Sequence, residues 1–445
     1  RVSKTAGMVS NEGTTAINAG YAMRGRRVHG ALCSRFITAV SREVVMKRLM
    51  VFILAVAFVG LVQADTVKGR IAVVSKQAGT LQIDVKGKDK AVTKVVVRVD
   101  ANTVFEGAAS LKELGPPDLV EVQLEPGKPA TSIKKIVFGL PPGVEIGVKE
   151  LVGTMTSGQP YHLFDARPGK RFGGGHVPGA KSAFPKDDDF LGKLPADKNA
   201  LLVFYCGGPT CPYTGVAIEK AKAAGYTNLK GFQAGLPGWK KAKLPVHSEA
   251  GWLAKQLNPQ HVILDVRSRD ASRVAHVPGA VAMPTADLQA MTQKFIAEQR
   301  IAQLPGVSDQ RAPIIIVADS HTSPEALLAY KELRDWGYGK TTILKGGFGG
   351  WQAKGLPSEQ GAAASEIVFI KKLAPGAIAP NEFVSLQKSG DVTIVDVRTD
   401  QEAAEGVIAG ALHMPLEQLE DRLAELPVGK EVLIYCANGI RAEMA

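Results

Sequence analysis

From residue 150 onward, short apolar runs alternate with stretches of helical periodicity. Residues 201–205 and 314–317 are continuously apolar, and residues 217–224 and 324–336 carry the helical pattern that follows each run. Strands of this kind that alternate with helices predict a parallel sheet with crossover helices on its faces. The fold class predicted for this part of the chain is therefore α/β.

A different pattern occupies residues 65–142, where polar and apolar positions alternate in short segments separated by Gly, Pro and Asp. The predicted strands are residues 66–74, 81–85, 94–99, 119–124 and 133–138. Five short strands in so few residues predict a small all-β module similar to an OB-like barrel. Because Phe105 and Phe138 are its only aromatic residues, stacking on nucleic-acid bases is not indicated, and we expect a spacing or protein-contact role.

The first 64 residues read as two leader segments. Residues 1–45 have no apolar periodicity, and we interpret them as a disordered upstream extension that is not part of the native protein. Residues 46–64 combine a basic start, an apolar run and a small-residue end, which is typical of a removed signal peptide. An uncleaved membrane anchor is the alternative, although the run is short for a span. We expect a bacterial-type exported protein that is located in the periplasm or otherwise outside the cytoplasm.

Charge and cysteine content exclude several classes of protein. The formal net charge is +11, but residues 1–64 contain nine Lys or Arg and two Asp or Glu, so +7 of it lies there. The remaining charge is too dilute for a nucleic-acid surface. Four cysteines are too few for a disulfide scaffold and have neither C-x-x-C nor zinc-site spacing. We therefore expect reactive rather than structural thiols, and the spacing does not indicate a zinc site.

The α/β part contains three repeats, at residues 150–245, 250–358 and 366–445. Each has an Asp-x-Arg after an apolar strand, then a turn ending in Gly-Ala, then a loop after a second strand. The Asp-x-Arg residues are Asp165 and Arg167, Asp265 and Arg267, and Asp396 and Arg398. An aspartate there can accept hydrogen bonds from loop amides or from the arginine, so we expect these residues to support the neighbouring loop.

The loop after the second strand differs between the repeats. It begins with Cys206 in the first repeat and with Cys436 in the third, whereas the second repeat has Ala318 there. A cysteine beside turned-in loop amides and a helix N-terminus is expected to lose its proton easily and act as a nucleophile. An alanine cannot carry a reactive sulfur, so the second repeat is predicted to be inactive.

Together these motifs resemble rhodanese domains, the sulfurtransferase family. The resemblance implies tandem parallel-sheet domains in which Cys206 and Cys436 are the catalytic residues. Each thiolate would take a sulfane sulfur from a small donor such as thiosulfate or a persulfide, and would pass it to a thiol or to cyanide. No metal or cofactor is implied, nucleic acid is not a partner, and the membrane is contacted only through the signal segment.

The resemblance also implies that six-residue loops bind the substrate. Besides the cysteine itself, the loop residues are Gly207, Gly208, Pro209, Thr210 and Cys211 in the first repeat, and Ala437, Asn438, Gly439, Ile440 and Arg441 in the third. Arg441 could bind thiosulfate through charge-assisted hydrogen bonds. Cys211 takes the corresponding place in the first repeat, which weakens the expectation of thiosulfate as its donor.

Two alternatives remain open from the sequence. Cys206 and Cys211 could form a disulfide, which would make the first repeat a thiol–disulfide redox site. The protein could also be a sulfur carrier or scaffold without turnover. The chain ends at Ala445, soon after Arg441, whereas the resemblance implies a further strand and a Gly-Gly-Trp segment. The third repeat is therefore expected to be truncated.

Overall fold

The computed structural model describes residues 22–24, 65–87, 91–373, 376–437 and 439–445. The predicted signal segment, residues 46–64, lies outside these ranges. None of the helices within them is long and apolar enough to cross a membrane. The described chain divides into two bodies, one formed by the residues up to Ile136 with Leu373–Ala445 and the other by Val137–Lys372. The first strand, β1, is Ala22–Arg24.

The N-terminal module is a six-stranded sheet. Its strands are β2 (Asp65–Ser75), β3 (Thr80–Lys86), β4 (Val92–Arg98), β5 (Val104–Glu106), β6 (Leu119–Leu124) and β7 (Ser132–Lys135). They lie in the order β4-β3-β2-β6-β7-β5, antiparallel except for the β5–β7 pair. All five predicted strands are present, and β5 escapes prediction because three residues are too few to show alternation. The sheet ends at β4 and β5, so closure into an OB-like barrel stays a prediction.

The first repeat has a four-stranded parallel sheet in the order β11-β10-β8-β9. These strands are β8 (His162–Asp165), β9 (Lys181–Ser182), β10 (Leu202–Tyr205) and β11 (Leu229–Phe232). The helices are α1 (Val148–Thr156), α2 (Gly169–Gly173), α3 (Tyr213–Ala223) and α4 (Gly235–Lys241). The predicted strand and helix around Cys206 are confirmed. Strand β10 lies inside the sheet with all four residues buried, so it can carry a continuous apolar run.

The second repeat repeats this arrangement with one strand more, in the parallel order β12-β16-β15-β13-β14. Its strands are β12 (His247–Ser248), β13 (Val262–Asp265), β14 (Val281–Ala282), β15 (Ile314–Val317) and β16 (Thr341–Leu344). Its helices are α5 (Ala250–Leu253), α6 (Arg269–Val274), α7 (Thr285–Ala297), α8 (Pro324–Asp335) and α9 (Gly347–Ala353). One buried apolar cluster contains side chains of the first and second repeats, including Val203, Trp239, Leu264 and Tyr330. The two repeats therefore share a core.

The third repeat has a sheet in the order β17-β1-β20-β18-β19. Its own strands are β17 (Ala377–Ile378), β18 (Val392–Asp396), β19 (Leu412–His413) and β20 (Glu431–Tyr435). Its helices are α10 (Pro380–Ser389), α11 (Asp400–Ala404), α12 (Leu416–Leu419) and α13 (Ile440–Met444).

Strand β1 corrects the expectation that residues 1–45 have no regular structure. It pairs antiparallel with β20, at the position that β11 and β16 hold in the other two sheets, and with β17 on its other side. A strand with one unpaired edge offers backbone donors and acceptors to any extended segment, whatever the sequence of that segment. Apolar periodicity therefore does not predict such a pairing. The rest of residues 1–45 lies outside the described residues.

Candidate functional site

The Asp-x-Arg pairs connect the end of one strand with the turn that follows it. In the first repeat Asp165 accepts hydrogen bonds from the Arg167 backbone N–H at 2.9 Å and from its guanidinium at 2.9 and 2.5 Å. The same guanidinium donates to the Gly175 carbonyl at 2.6 Å. The other two repeats show the same bonds, with Arg267 donating to Ala275 and Arg398 donating to Gly406. The predicted Asp–Arg pairing is confirmed.

The tyrosine that precedes each cysteine extends this network, and the sequence reasoning missed it. The Tyr435 hydroxyl donates to Asp396 Oδ2 at 2.7 Å and accepts from the Ile408 backbone N–H at 3.1 Å. The Tyr205 hydroxyl accepts from the Val177 backbone N–H at 3.0 Å. The second repeat has valine at this place, next to its alanine. The sequence could have indicated this role of the tyrosine, because Tyr-Cys occurs in the first and third repeats and the second repeat lacks both residues.

The backbone of the first cysteine loop is clamped by a glycine of α4. The Leu236 N–H donates to the Cys206 carbonyl at 3.0 Å. Gly235 has φ +56°, and a Cβ on it would lie 2.6 Å from the Gly208 nitrogen and would overlap the Cys206 carbonyl oxygen. Only glycine fits this approach. The Gly-x-x-x-Trp motif thus holds the cysteine loop closed from the next helix.

The position of the Cys206 sulfur corrects one expectation. Cys206 is fully buried, and its Sγ donates to the Cys211 carbonyl at 3.3 Å. Burial, together with a hydrogen bond to the Cys211 side chain, raises the pKa of the Cys206 thiol, although hydrogen bonds with Thr214 oppose the rise. The sequence predicts easy proton loss, and that prediction is wrong for the resting structure. The main reason is that the sulfur is buried, and its interaction with the Cys211 side chain adds to the effect.

The five other residues of the first loop do not form an open cradle of amides. Gly208 and Thr210 are buried and Pro209 is exposed. The Cys211 N–H already donates to the Gly208 carbonyl at 2.9 Å. Helix α3 begins only at Tyr213, beyond the residues predicted for its loop, whereas α13 begins at Ile440, within the residues predicted for the third-repeat loop. The loop after Cys206 is therefore longer than the one after Cys436. Gly207 lies against the Cys211 side chain, as a Cβ on it would be 3.6 Å from the Cys211 Cβ.

The third-repeat loop brings an amide to its sulfur. Cys436 is buried, and the Gly439 N–H donates to its Sγ at 3.2 Å, with Gly439 in the left-handed region at φ +84°. Ala437 is exposed on the outside of the loop. Asn438 lies outside the described residues, and of Ile440 the structure describes only the backbone. The expected amide–sulfur contact is thus present at Cys436.

Arg441 lies beside this sulfur and is held by a partner that the sequence reasoning missed. Arg441 is 2% exposed, and its guanidinium interacts with Cys436. It also binds Glu402 at two points, with Nη1–Oε2 and Nη2–Oε1 distances of 2.5 and 2.7 Å. The hydrogen bond with Arg441 lowers the pKa of Glu402 to about 2. Glu402 also closes a capping box with Thr399, and the T-x-x-E spacing signals this cap but not the arginine.

The second repeat keeps the loop framework without the thiol. Ala318 follows β15 and is buried, as Cys206 is after β10. Its carbonyl accepts from the Phe348 N–H at 2.8 Å, the counterpart of the clamp on Cys206. His321 lies in the loop and accepts from the Gly346 N–H at 3.1 Å. The alignment of Ala318 with the cysteines is therefore confirmed, and the inactivity of this repeat stays a prediction.

Among the described residues, no group of three or more His, Cys, Asp or Glu is arranged to hold a metal ion. The two cysteine loops carry thiols, those of Cys206 and Cys436. Both lie at the carboxyl end of an inner strand of a largely parallel sheet, where the loops of an α/β fold form its sites.

Comparison with known proteins places these loops in a family. Residues 148–242, 249–354 and 379–445 match the model of the rhodanese-like domain. A sulfurtransferase of Allochromatium vinosum is 40% identical over 60 residues, which are 14% of this chain and 56% of that protein. An HTH-type transcriptional regulator of Mycobacterium tuberculosis is 42% identical over 60 residues, again 14% of this chain and 26% of that protein. The chain thus spans about half, or less, of these relatives.

Among solved structures, a thiosulfate sulfurtransferase from Pseudomonas aeruginosa is 17% identical. The match covers 68% of this chain and 63% of the Pseudomonas chain. Its TM-score is 0.21, which is too low to relate the overall folds. The family model, in contrast, matches more than half of the residues, in three separate stretches that each contain one set of the repeated motifs. The chain belongs to the rhodanese-like family.

Proposed function

We propose that this protein is a sulfurtransferase that carries sulfane sulfur as a cysteine persulfide, with Cys436 and Cys206 as its two sulfur-bearing residues. The observation that carries the proposal is the Cys436 site, where the Gly439 N–H lies 3.2 Å from the sulfur and Arg441 interacts with it. Membership of the rhodanese-like family supports it, and so does a relative that is itself named a sulfurtransferase.

Cys436 can perform the transfer as a double displacement. Its thiolate attacks the outer sulfur of the donor, and a new S–S bond forms while the donor's S–S bond breaks. With thiosulfate the leaving group is sulfite, which departs with the electron pair. A thiol or cyanide then attacks the outer sulfur and frees the cysteine. The Gly439 amide and the Arg441 guanidinium lie where they stabilise negative charge on the sulfur atoms.

The two sites differ in the donor they favour. Arg441 places a positive charge at the third-repeat loop, which suits an anionic donor such as thiosulfate. In the first repeat Cys211 replaces the arginine, and Cys206 is fully buried. Burial penalises a charged donor that brings no partner for its charge. Cys206 therefore takes sulfur from a persulfide rather than from thiosulfate.

The cellular compartment proposed for this protein is based on its leader segment. Residues 46–64 have the pattern of a removed signal, so the donor and the thiol acceptor are small molecules or proteins of the periplasm. The β-module of residues 65–142 then serves as a spacer or a contact surface for a protein partner.

Thiosulfate-dependent formation of thiocyanate from cyanide tests the proposal. Cys436→Ser should abolish this activity in the full chain, Cys206→Ser should retain most of it, and Cys33→Ser, a change outside both loops, should leave it unaltered. Repeated turnover identifies an enzyme, whereas a single burst of one sulfur per chain identifies a carrier. Activity that survives in the Cys206→Ser/Cys436→Ser double variant would contradict the assignment of both sites.

A further inference from the structure

The first repeat places a second thiol against its sulfur-bearing cysteine. The Cys206 and Cys211 side chains are hydrogen-bonded to each other, and Cys206 Sγ also lies 3.3 Å from the Cys211 carbonyl. Gly207 lies beside this contact, since a Cβ on that residue would be 3.8 Å from the Cys211 Sγ, an ordinary van der Waals distance. Both cysteines are thiols in the structure. Their position in one loop makes attack of one sulfur on the other an intramolecular step.

The two thiols have different access to solvent. Cys206 is fully buried, whereas Cys211 is partly exposed. An outer sulfur bound to Cys206 would therefore lie in a buried loop, next to a Cys211 side chain that is itself partly exposed. The Cys211 thiol can therefore react with the persulfide before an external thiol reaches it.

The surroundings of Cys206 also disfavour a long-lived persulfide anion. The carbonyls of Gly208 and Cys211 lie 3.9 and 3.3 Å from its sulfur, and both present negative ends of dipoles to it. Cys436 has instead the Gly439 N–H and the Arg441 guanidinium. Hydrogen bonds with Thr214 offset these carbonyls only in part, so an anionic outer sulfur is less stabilised in the first repeat than in the third. The same environment raises the pKa of the Cys206 thiol, because burial penalises its charged form.

We propose that Cys211 resolves the persulfide formed on Cys206, so that the first repeat reduces sulfane sulfur to hydrogen sulfide and closes a Cys206–Cys211 disulfide. This inference rests on the proposed function, because Cys206 must first accept the sulfur. The third repeat, whose single cysteine is Cys436, then retains its sulfur for transfer. One chain would combine a sulfur-releasing site with a sulfur-donating site.

The step balances without an oxidant. The Cys211 thiolate attacks Cys206 Sγ, and an Sγ–Sγ bond forms while the bond from Cys206 Sγ to the outer sulfur breaks. The outer sulfur leaves with the bonding electron pair as HS⁻, and the proton from the Cys211 thiol passes to solvent or to HS⁻. The two oxidation equivalents of the persulfide are retained in the disulfide, so no other oxidant is needed. A dithiol reductant then supplies two electrons and two protons to restore both thiols.

The test uses the full chain with Cys33 and Cys436 replaced by serine, so that only the two first-repeat cysteines remain. This parent, its Cys211→Ser variant and its Cys206→Ser variant are each treated with one equivalent of glutathione persulfide. Sulfide is measured in the reaction mixture, with the Cys206→Ser sample as the background. The protein is then desalted and its intact mass recorded. Cys211→Ala is run beside Cys211→Ser, and circular dichroism checks that every variant is folded.

The parent should release about one equivalent of sulfide above background and lose the mass of two hydrogen atoms, which a dithiol restores. Cys211→Ser and Cys211→Ala should release none and gain the mass of one sulfur atom. A parent that keeps the added sulfur, or returns to its starting mass without a disulfide, would overturn the resolving role while leaving sulfur acceptance intact. If the folded Cys211 variants gain no sulfur, the proposed function of Cys206 itself fails.

Discussion

Glu402 and Arg441 form a two-point ion pair beside the third-repeat cysteine, with Nη–Oε distances of 2.5 and 2.7 Å across 39 positions of sequence. Glu402 belongs to the helix after the Asp-x-Arg pair, and Arg441 belongs to the helix that begins at the end of the cysteine loop. The pair therefore connects the two segments that form the site. It also keeps the guanidinium next to Cys436 before any donor binds, so the positive charge is in place in advance.

Removal of Glu402 should destabilise the third repeat. Glu402→Ala leaves the buried Arg441 guanidinium without its carboxylate, and breaking such a buried pair costs about 3 kcal/mol. Urea unfolding of the full chain, followed by a probe in the third repeat, measures the loss. Glu405→Ala is the matched control, because that glutamate is exposed at the end of the same helix. Equal stability of the two variants would contradict the structural role of the pair.

The contribution of Glu402 should depend on pH in a defined window. The pKa of Glu402 is about 2 in the folded chain because of its hydrogen bond with Arg441, and its ordinary value is 4.5. A carboxyl with a depressed folded pKa adds stability that is complete above the unfolded pKa and is lost as the pH falls towards the folded one. The stability difference between the parent and Glu402→Gln should therefore shrink from pH 4.5 down to pH 2. A difference that is constant over this range would contradict the ion pair.

Tyr435 should support the third site through its hydroxyl. Tyr435→Phe removes the 2.7 Å bond to Asp396 and leaves the Ile408 N–H without the hydroxyl that accepts from it. We expect a loss of about 1 kcal/mol in unfolding free energy and slower sulfur loading of Cys436. The loading rate is measured from the intact mass of samples that are quenched at short times after the sulfur donor is added. Tyr213→Phe, at the start of α3 in the first repeat, serves as the control and should leave that rate unchanged.

Gly235 should be required for the first site but not for the third. Gly235→Ala places a Cβ against the Cys206 carbonyl and the Gly208 nitrogen, at a φ of +56° that strains an alanine. In the Cys211→Ser background this change should prevent sulfur loading of Cys206 and leave loading of Cys436 intact. Gly192→Ala is the control, because a Cβ there meets nothing within 4 Å. Normal loading of Cys206 in Gly235→Ala would show that the clamp is dispensable.

The sequence predicted what depends on neighbours along the chain. The buried strand before Cys206 follows from a continuous apolar run, and the pairing of Asp165 with Arg167 joins residues two positions apart. The alignment of Ala318 with the cysteines follows from motif order alone. All three are confirmed, because each is decided by local periodicity or spacing.

What depends on the path of a loop or on distant residues was not predictable. The hydrogen bonds of the Cys206 sulfur depend on which loop groups face it, and a Gly-rich segment can turn either an amide or a carbonyl towards it. The Glu402–Arg441 pair joins two helices that no pattern relates. The pairing of β1 with β20 joins backbone groups of segments more than 400 positions apart in the sequence, and local periodicity does not report such a pairing.

The central claim, that two loop cysteines accept sulfane sulfur, is tested most directly by locating the added sulfur. The full chain with Cys211→Ser, which traps the first-repeat persulfide, is treated with glutathione persulfide, alkylated, digested and analysed by peptide mass spectrometry. The prediction is one additional sulfur atom on the Cys206 peptide, one on the Cys436 peptide, and none on the Cys33 peptide. Unmodified Cys206 and Cys436 peptides, or equal labelling of Cys33, would contradict the account.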